Sequence, residues 1–201
     1  MLRVCLDLNV WVADLIGRQA GRTGTVLMRI VEMVKAMSVA GTPLQLVISQ
    51  EMLGTLEAVL IRQKVPAFLA ERFSAAVSNL MINGPEKLQP AVLTSGRDQL
   101  AMHDREDAGV LATCIAERVD LLVTDNLRDF ITKDSERRDT RLVSRADGIT
   151  RQLYTVLHER ADGVALTIAH PIDAVDWLIP TLTDQNPRAQ ARRPMDMMRQ
   201  G

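Results

Sequence analysis

Short apolar runs alternate along this chain with longer stretches in which apolar positions recur every three or four residues. The first kind reads as buried strand, the second as amphipathic helix. LRVCL at 2–6 is the first strand, followed by a short helix over 9–16 and a Gly-rich loop, GRQAGRTGT. Val26, Ile30, Met33, Val34 and Met37 sit at helical spacing and predict a helix over 25–39, closed by Gly41-Thr42-Pro43. LQLVI at 44–48 is a second strand. Ser49 then offers its hydroxyl to the first-turn amides of EMLGTLEAVLIRQ. Pro66, at the N1 position, opens a further helix that ends near Asn83-Gly84-Pro85. A weaker strand is expected over 88–93, a helix over 104–118, and a fourth strand, VDLLVT, over 119–124.

Beyond this point the pattern changes. Residues 133–151 are charged and without period, and read as part of an insertion spanning about 131–160, with a short helix or strand over 149–157. GVALTIA at 163–169 is a fifth strand, and Pro171 opens a closing helix through Leu178. From Pro180 the chain is polar and Arg-containing, with Arg188, Arg192, Arg193 and Arg199, so 181–201 is expected to be a flexible tail after a domain spanning 1–180. Strands alternating with helices predict an α/β fold, three-layer α/β/α around a central, mainly parallel sheet of about five strands.

Composition adds limits. The 201 residues are 47% hydrophobic, enough for a sizeable core. A net charge of −1 gives no global footprint for a polyanion, so any such contact needs local basic groups or metal ions. Aromatics are 3% of the chain, too few for a stacking platform, and Trp11 reads as packing beneath the first helix. Cys5 and Cys114 lie inside apolar segments at no metal spacing and read as reduced core residues. With no signal-peptide pattern and no apolar run near the length of a membrane span, a cytoplasmic protein without a membrane partner is expected.

The candidate chemistry is acidic. Ligands of a parallel sheet bind beyond the carboxyl ends of its strands. Asp7 and Asn9 fall at that edge after the first strand, and Thr124, Asp125 and Asn126 after the fourth. Asp104 and Asp107, three apart, share one face of the helix that begins there, while Glu106 points elsewhere. Oxygen donors without a Cys or His pattern suit a hard divalent cation, which takes one or two carboxylates and keeps several waters. Such a cation serves displacement at phosphorus. Taken singly, each acid also has a plain structural role, as a helix cap or a complement to the helix dipole.

The succession LDLNVWV, ISQEMLGTLEAVL and DREDAGVLATCIAERVDLLVTDNLRDF resembles the PIN-domain nucleases, most of all the ribonuclease toxins of bacterial type II toxin–antitoxin pairs. TIAHPIDAVDWL is similar to the family's closing strand, proline and helix. The resemblance implies Asp7 and Asp107 as principal metal ligands, with Asp104 and Asn126 completing the shell around Mg²⁺ or Mn²⁺. It makes Asp7, Asp107 and Asn126 the catalytic set, with Asn9, Thr124, Asp125 and Asp129 in support. It also implies an RNA substrate, a cognate antitoxin and a homodimer. Arg18 and Arg22, in or beside the Gly-rich loop, are the candidates to hold RNA phosphates.

One position departs from the pattern. The resemblance implies a Glu six residues after Ser49, where this chain has Thr55. Glu57 is turned about 200° away around the helix. Glu51 shares Thr55's face one turn nearer the helix start and can replace the missing ligand, or simply complement the dipole. A catalytically silent RNA- or protein-binding module is therefore a rival reading. A phosphatase using Asp7 as nucleophile is a third, opposed by Asn9 where a second Asp is needed. Of the three histidines, only His103 is placed near the expected site.

Overall fold

In the computed structural model, the residues described are 1–92, 102, 104–144, 150–159 and 165–179. Their order is β1 (Leu2–Leu6), α1 (Leu8–Gln19), α2 (Val26–Lys35), β2 (Ser38–Val39), β3 (Thr42–Leu46), α3 (Gln50–Arg62), α4 (Ala67–Ile82), α5 (Arg105–Ala116) and β4 (Leu121–Val123). A 3-10 turn (Leu127–Phe130), β5 (Ser135–Ser144), β6 (Thr150–Glu159), β7 (Ala165–Ala169) and α6 (Pro171–Leu178) follow. The sheet runs β2-β3-β1-β4-β7-β6-β5.

The central strands β3, β1, β4 and β7 are all parallel, with Val4 opposite both Leu46 and Leu121, and Val123 opposite Ala169. Each is mainly apolar and largely buried, with Val4 to Leu6, Leu44, Leu46, Leu121 to Val123 and Ile168 in the core, because helices cover both of its faces. Right-handed crossovers require this arrangement. The step from β1 to β3 runs one way across the sheet through α1 and α2, and the step from β3 to β4 runs the other way through α3, α4 and α5. Accordingly α2 packs on α1 and α6, and α3 on α4 and α5, with α1 and α3 meeting. The fold is the expected α/β/α arrangement, with seven strands rather than about five.

The additional strands come from two places. The chain leaves α2 at Lys35 and not at residue 39, because Ala40 (φ 45°) and Gly41 (φ 80°) form a two-residue turn. That turn pairs Val39 with Thr42 and makes the β2–β3 hairpin. The charged stretch after 131, read from its pattern as an insertion, supplies β5 and β6. They pair antiparallel, and β6 joins β7. Leu153, Val156 and Leu157 of β6 are buried, while β5 lies at the edge of the sheet. An edge strand tolerates charge, which explains why SERRDTRLVS carries no core signal. Arg137 stacks over the Tyr154 ring of the neighbouring strand at 4.8 Å.

Two other expectations shift. Residues 88–92 form no named strand; they contribute a single bridge between Ala91 and Ser49, and residue 93 lies outside the described residues. The helix expected over 104–118 ends at Ala116, with Arg118 in the left-handed region at φ 54°. Val119 N then donates to Cys114 O at 2.8 Å, a bond that closes such helix ends. The tail after 180 and His103 fall outside the described residues.

The core is one cluster in which Trp11 and Phe130 are the largest fully buried side chains. Trp11 meets Phe73 edge-on, so it packs in the core and offers no face to a base. Each such ring stabilises the fold by about 2–3 kcal/mol. Cys5 and Cys114 are buried free thiols. No helix among the described residues is long and apolar enough to cross a membrane.

Candidate active site

The carboxyl ends of β1 and β4 lie side by side, and the ladder continues past both. Asp7 N donates to Val123 O at 2.9 Å, and Thr124 N to Ala169 O at 3.0 Å. Chain order reverses at this pair, so the crevice above it opens between diverging connections. Asp7 caps α1 and is buried at 5% exposure. Its Oδ1 accepts from Leu8 N at 2.7 Å. Its Oδ2 accepts from the Thr124 hydroxyl at 2.6 Å and from Asn9 Nδ2 at 2.8 Å. A carboxylate has about four acceptor positions, so three bonds hold Asp7 in place and leave room for a further ligand.

Thr124 is the hub of this junction. Beyond its bond to Asp7, its oxygen accepts from Asn126 N at 3.0 Å and from Asn9 Nδ2 at 3.2 Å. Asn9 thus spends both amide hydrogens bracing β1 against β4, and its Oδ1 faces Asp125 N at 3.5 Å. Asn126 donates through Nδ2 to Asp129, which ties the 3-10 turn to the loop after β4.

Asp104 caps α5 by accepting from Glu106 N at 2.7 Å. Asp107 lies one turn further on, half-buried. Asp7, Asn9, Asp104, Glu106, Asp107, Asn126 and Asp129 line one cleft of about 550 Å³. Glu106 was expected to point elsewhere; instead it stands at the rim, because the first turn of a helix fans its side chains around the mouth of the crevice it faces. Pattern alone did not find this residue, although its place in the first turn of α5 was visible.

Crowding marks the electrostatics. Burial, then the charges of Asp7, Asp104, Asp129 and Glu106, push the Asp107 carboxyl up to about 7. Burial also raises Asp7, against the opposing hydrogen bonds from Thr124 and Leu8, and the charges of Asp129 and Asp104 add to the rise. Carboxyls whose ionisation is disfavoured by burial and by neighbouring carboxylates are relieved by a cation. Among the described residues, no three Asp, Glu, His or Cys side chains stand close enough to enclose an ion by themselves. An oxygen-only donor set spread around an open cleft fits a partly hydrated hard cation rather than a dehydrated one.

The remaining expected residues divide. Arg22 lines the acidic cleft and is the one basic side chain there among the described residues. Arg18 does not line it; its guanidinium bridges buried Asp14 at 2.9 Å and Glu32 at 2.5 Å. Asp125 turns away to accept from His170 Nε2 at 2.7 Å, while His170 Nδ1 accepts from Ile172 N and caps α6. One neutral tautomer, protonated on Nε2, satisfies both bonds. His170 thus belongs to the surroundings of the site, while His103 lies outside the described residues; the position of His170 before a helix-opening Pro171 was the available signal. Glu51 and Thr55 line a neighbouring cleft, and the α3 residue facing the acidic one is Val59.

The family model for the PIN domain matches residues 3–128. The chain belongs to the PIN-domain family. The match holds Asp7, Asn9, Asp104, Asp107, Thr124, Asp125 and Asn126, and stops just before Asp129 and the β5–β6 hairpin. PIN domains are typically nucleases and generally use divalent metals. No curated protein and no solved structure matches the chain.

Proposed function

We propose that this PIN domain is a divalent-metal-dependent endoribonuclease that uses Mg²⁺ or Mn²⁺ and acts as the toxin of a toxin–antitoxin pair. The observation that carries the nuclease reading is the convergence of Asp7, Asp104, Asp107 and Asp129 on one cleft, with Asp107 raised to about 7 by burial and then by that company. Asp7 and Asp107 hold the cation, and Asp104 and Asn126 complete its shell directly or through water. When bound, the cation supplies positive charge to the attacked phosphate and acidifies a nearby water. Thr124 and Asn9 fix the carboxylate of Asp7, and Asn126 fixes Asp129. Arg22, between the left-handed Gly21 and Gly24, reaches the cleft as the group to hold a substrate phosphate.

RNA as substrate, the toxin role, an antitoxin that covers the acidic cleft, a homodimer and a cytoplasmic setting are supported by the likeness of the three motifs to ribonuclease toxins and remain part of this proposal. A single-stranded RNA incubated with the protein in Mn²⁺, and again in a chelator, tests the chemistry: cleavage confined to the metal is expected. Arrest of cell growth on expression, relieved by the product of an adjacent small gene, tests the toxin role.

One observation favours a second reading. Because α3 presents Val59, and not a carboxylate, to the acidic cleft, a silent RNA- or protein-binding module fits that helix equally well. A folded protein that binds RNA and leaves it intact in Mn²⁺ would establish it.

A further inference from the structure

A second cleft, of about 440 Å³, runs between α3 and α5 beside the acidic one. Leu8, Glu106 and Val110 line both, so the two adjoin. Its α3 wall is a single helical face, Glu51, Gly54, Thr55, Ala58 and Arg62, about 16 Å from end to end. Its volume is in the range of small-ligand sites.

Gly54 is the unexplained residue of this wall. It stands in the interior of α3, where Gly is less favourable than Ala. A Cβ added there meets no heavy atom within 4 Å, so no packing neighbour and no backbone turn requires the missing side chain. What the glycine leaves open is the cleft itself. Along the same wall, Ala58 is small and Arg62, exposed at the last turn, is the cleft's one basic side chain among the described residues. Glu106 at the junction repels a phosphate but accepts hydrogen bonds from the N–H groups of a base or from a 2′-hydroxyl.

We infer that this cleft is a flanking-nucleotide subsite. It receives the base next to the scissile phosphate over Gly54 and Ala58, with Arg62 taking the following phosphate. This inference rests on the nuclease reading, since the shared wall with the acidic cleft is what makes a nucleic-acid strand its occupant.

The test uses the full chain and two probes, a fluorescent single-stranded hexaribonucleotide and a dinucleotide, with binding read by anisotropy in the presence of chelator. Gly54→Leu fills the cleft while favouring the helix. It is expected to raise the melting temperature by about 2–4 °C and to weaken binding of both probes about tenfold, since the dinucleotide also carries the base next to the scissile phosphate. Arg62→Gln, at an exposed position, is expected to weaken hexanucleotide binding about fivefold and lower the salt slope by about 0.7. Hexanucleotide binding unchanged in both variants overturns the subsite. If Asp7→Asn still abolishes cleavage in that case, the nuclease reading stands without it. A parent protein that neither binds nor cuts the strand overturns both.

Discussion

Thr124 donates its hydroxyl proton to Asp7 at 2.6 Å, across the boundary between β4 and β1. The same oxygen accepts the Asn126 amide, so one hydroxyl sets the first carboxylate of the cleft and starts the loop that carries Asn126 and Asp129. Thr124→Val keeps the shape and removes these bonds. The expected result is a loss of about 1–3 kcal/mol of stability, read by denaturant unfolding, and about tenfold slower RNA cleavage. Thr124→Ser should recover most of both, and a Val variant as active as the parent would show the hydroxyl to be idle.

Asp107 gives the pH dependence. Its folded value, about 7, lies above the reference 3.8, so the folded state holds its proton more tightly than the unfolded chain does. The stability this contributes is fully present below 3.8, declines as pH rises to about 7, and is gone above it. Metal-free Asp107→Asn should therefore unfold at higher denaturant than the parent at pH 8, with the gap closing toward pH 4. Cation binding must displace the same proton. Mn²⁺ affinity should thus rise about tenfold per pH unit up to about pH 7 and flatten beyond.

Asn9 acts here as a double donor, to Asp7 at 2.8 Å and to Thr124 at 3.2 Å. Asn9→Asp would set a carboxylate against Asp7 and remove both bonds. The metal-free variant should melt below the parent, and added Mn²⁺ should raise its melting temperature more than the parent's, since only the variant has the new repulsion to relieve. Equal metal shifts in the two proteins would contradict the role assigned to Asn9.

Far from the cleft, Gly84 lies against the buried amide of Gln45. A Cβ there would come within 2.5 Å of Gln45 Oε1, which accepts from Glu86 N at 2.8 Å. The Gln45 amide also donates to Leu46 O and Met81 O, so it cannot swing aside. Gly84→Ala is expected to cost about 1–3 kcal/mol in a denaturant melt, with cleavage unchanged at temperatures where the protein is folded.

What the sequence disclosed was whatever depends on local pattern. Strand ends carrying Asp7 and Thr124 were visible, as were the cap at Ser49, the pairing of Asp104 with Asp107, and Pro171 at the start of α6, because each is written within a few consecutive residues. Strand β5 was hidden because an edge strand needs no apolar alternation, whereas a short helix or strand was expected where β6 lies. The β2–β3 turn was hidden because Ala40 adopts a left-handed φ that its residue type does not announce. How α3 rolls against α1 and α5 is decided by packing between distant segments. For that reason the division of Glu51, Thr55 and Val59 between two clefts, and the place of Glu106 on both, appears only in three dimensions. The bond from His170 to Asp125 joins residues on separate strands' ends and is invisible to spacing for the same reason.

Metal-dependent cleavage at the acidic cleft is tested most directly with a single-stranded RNA in Mn²⁺ and the parent, Asp7→Asn and Asp107→Asn, each confirmed folded by its melting curve. Metal-dependent cleavage by the parent is expected, with a loss of about a hundredfold or more in each variant. Cleavage that survives both substitutions would contradict it.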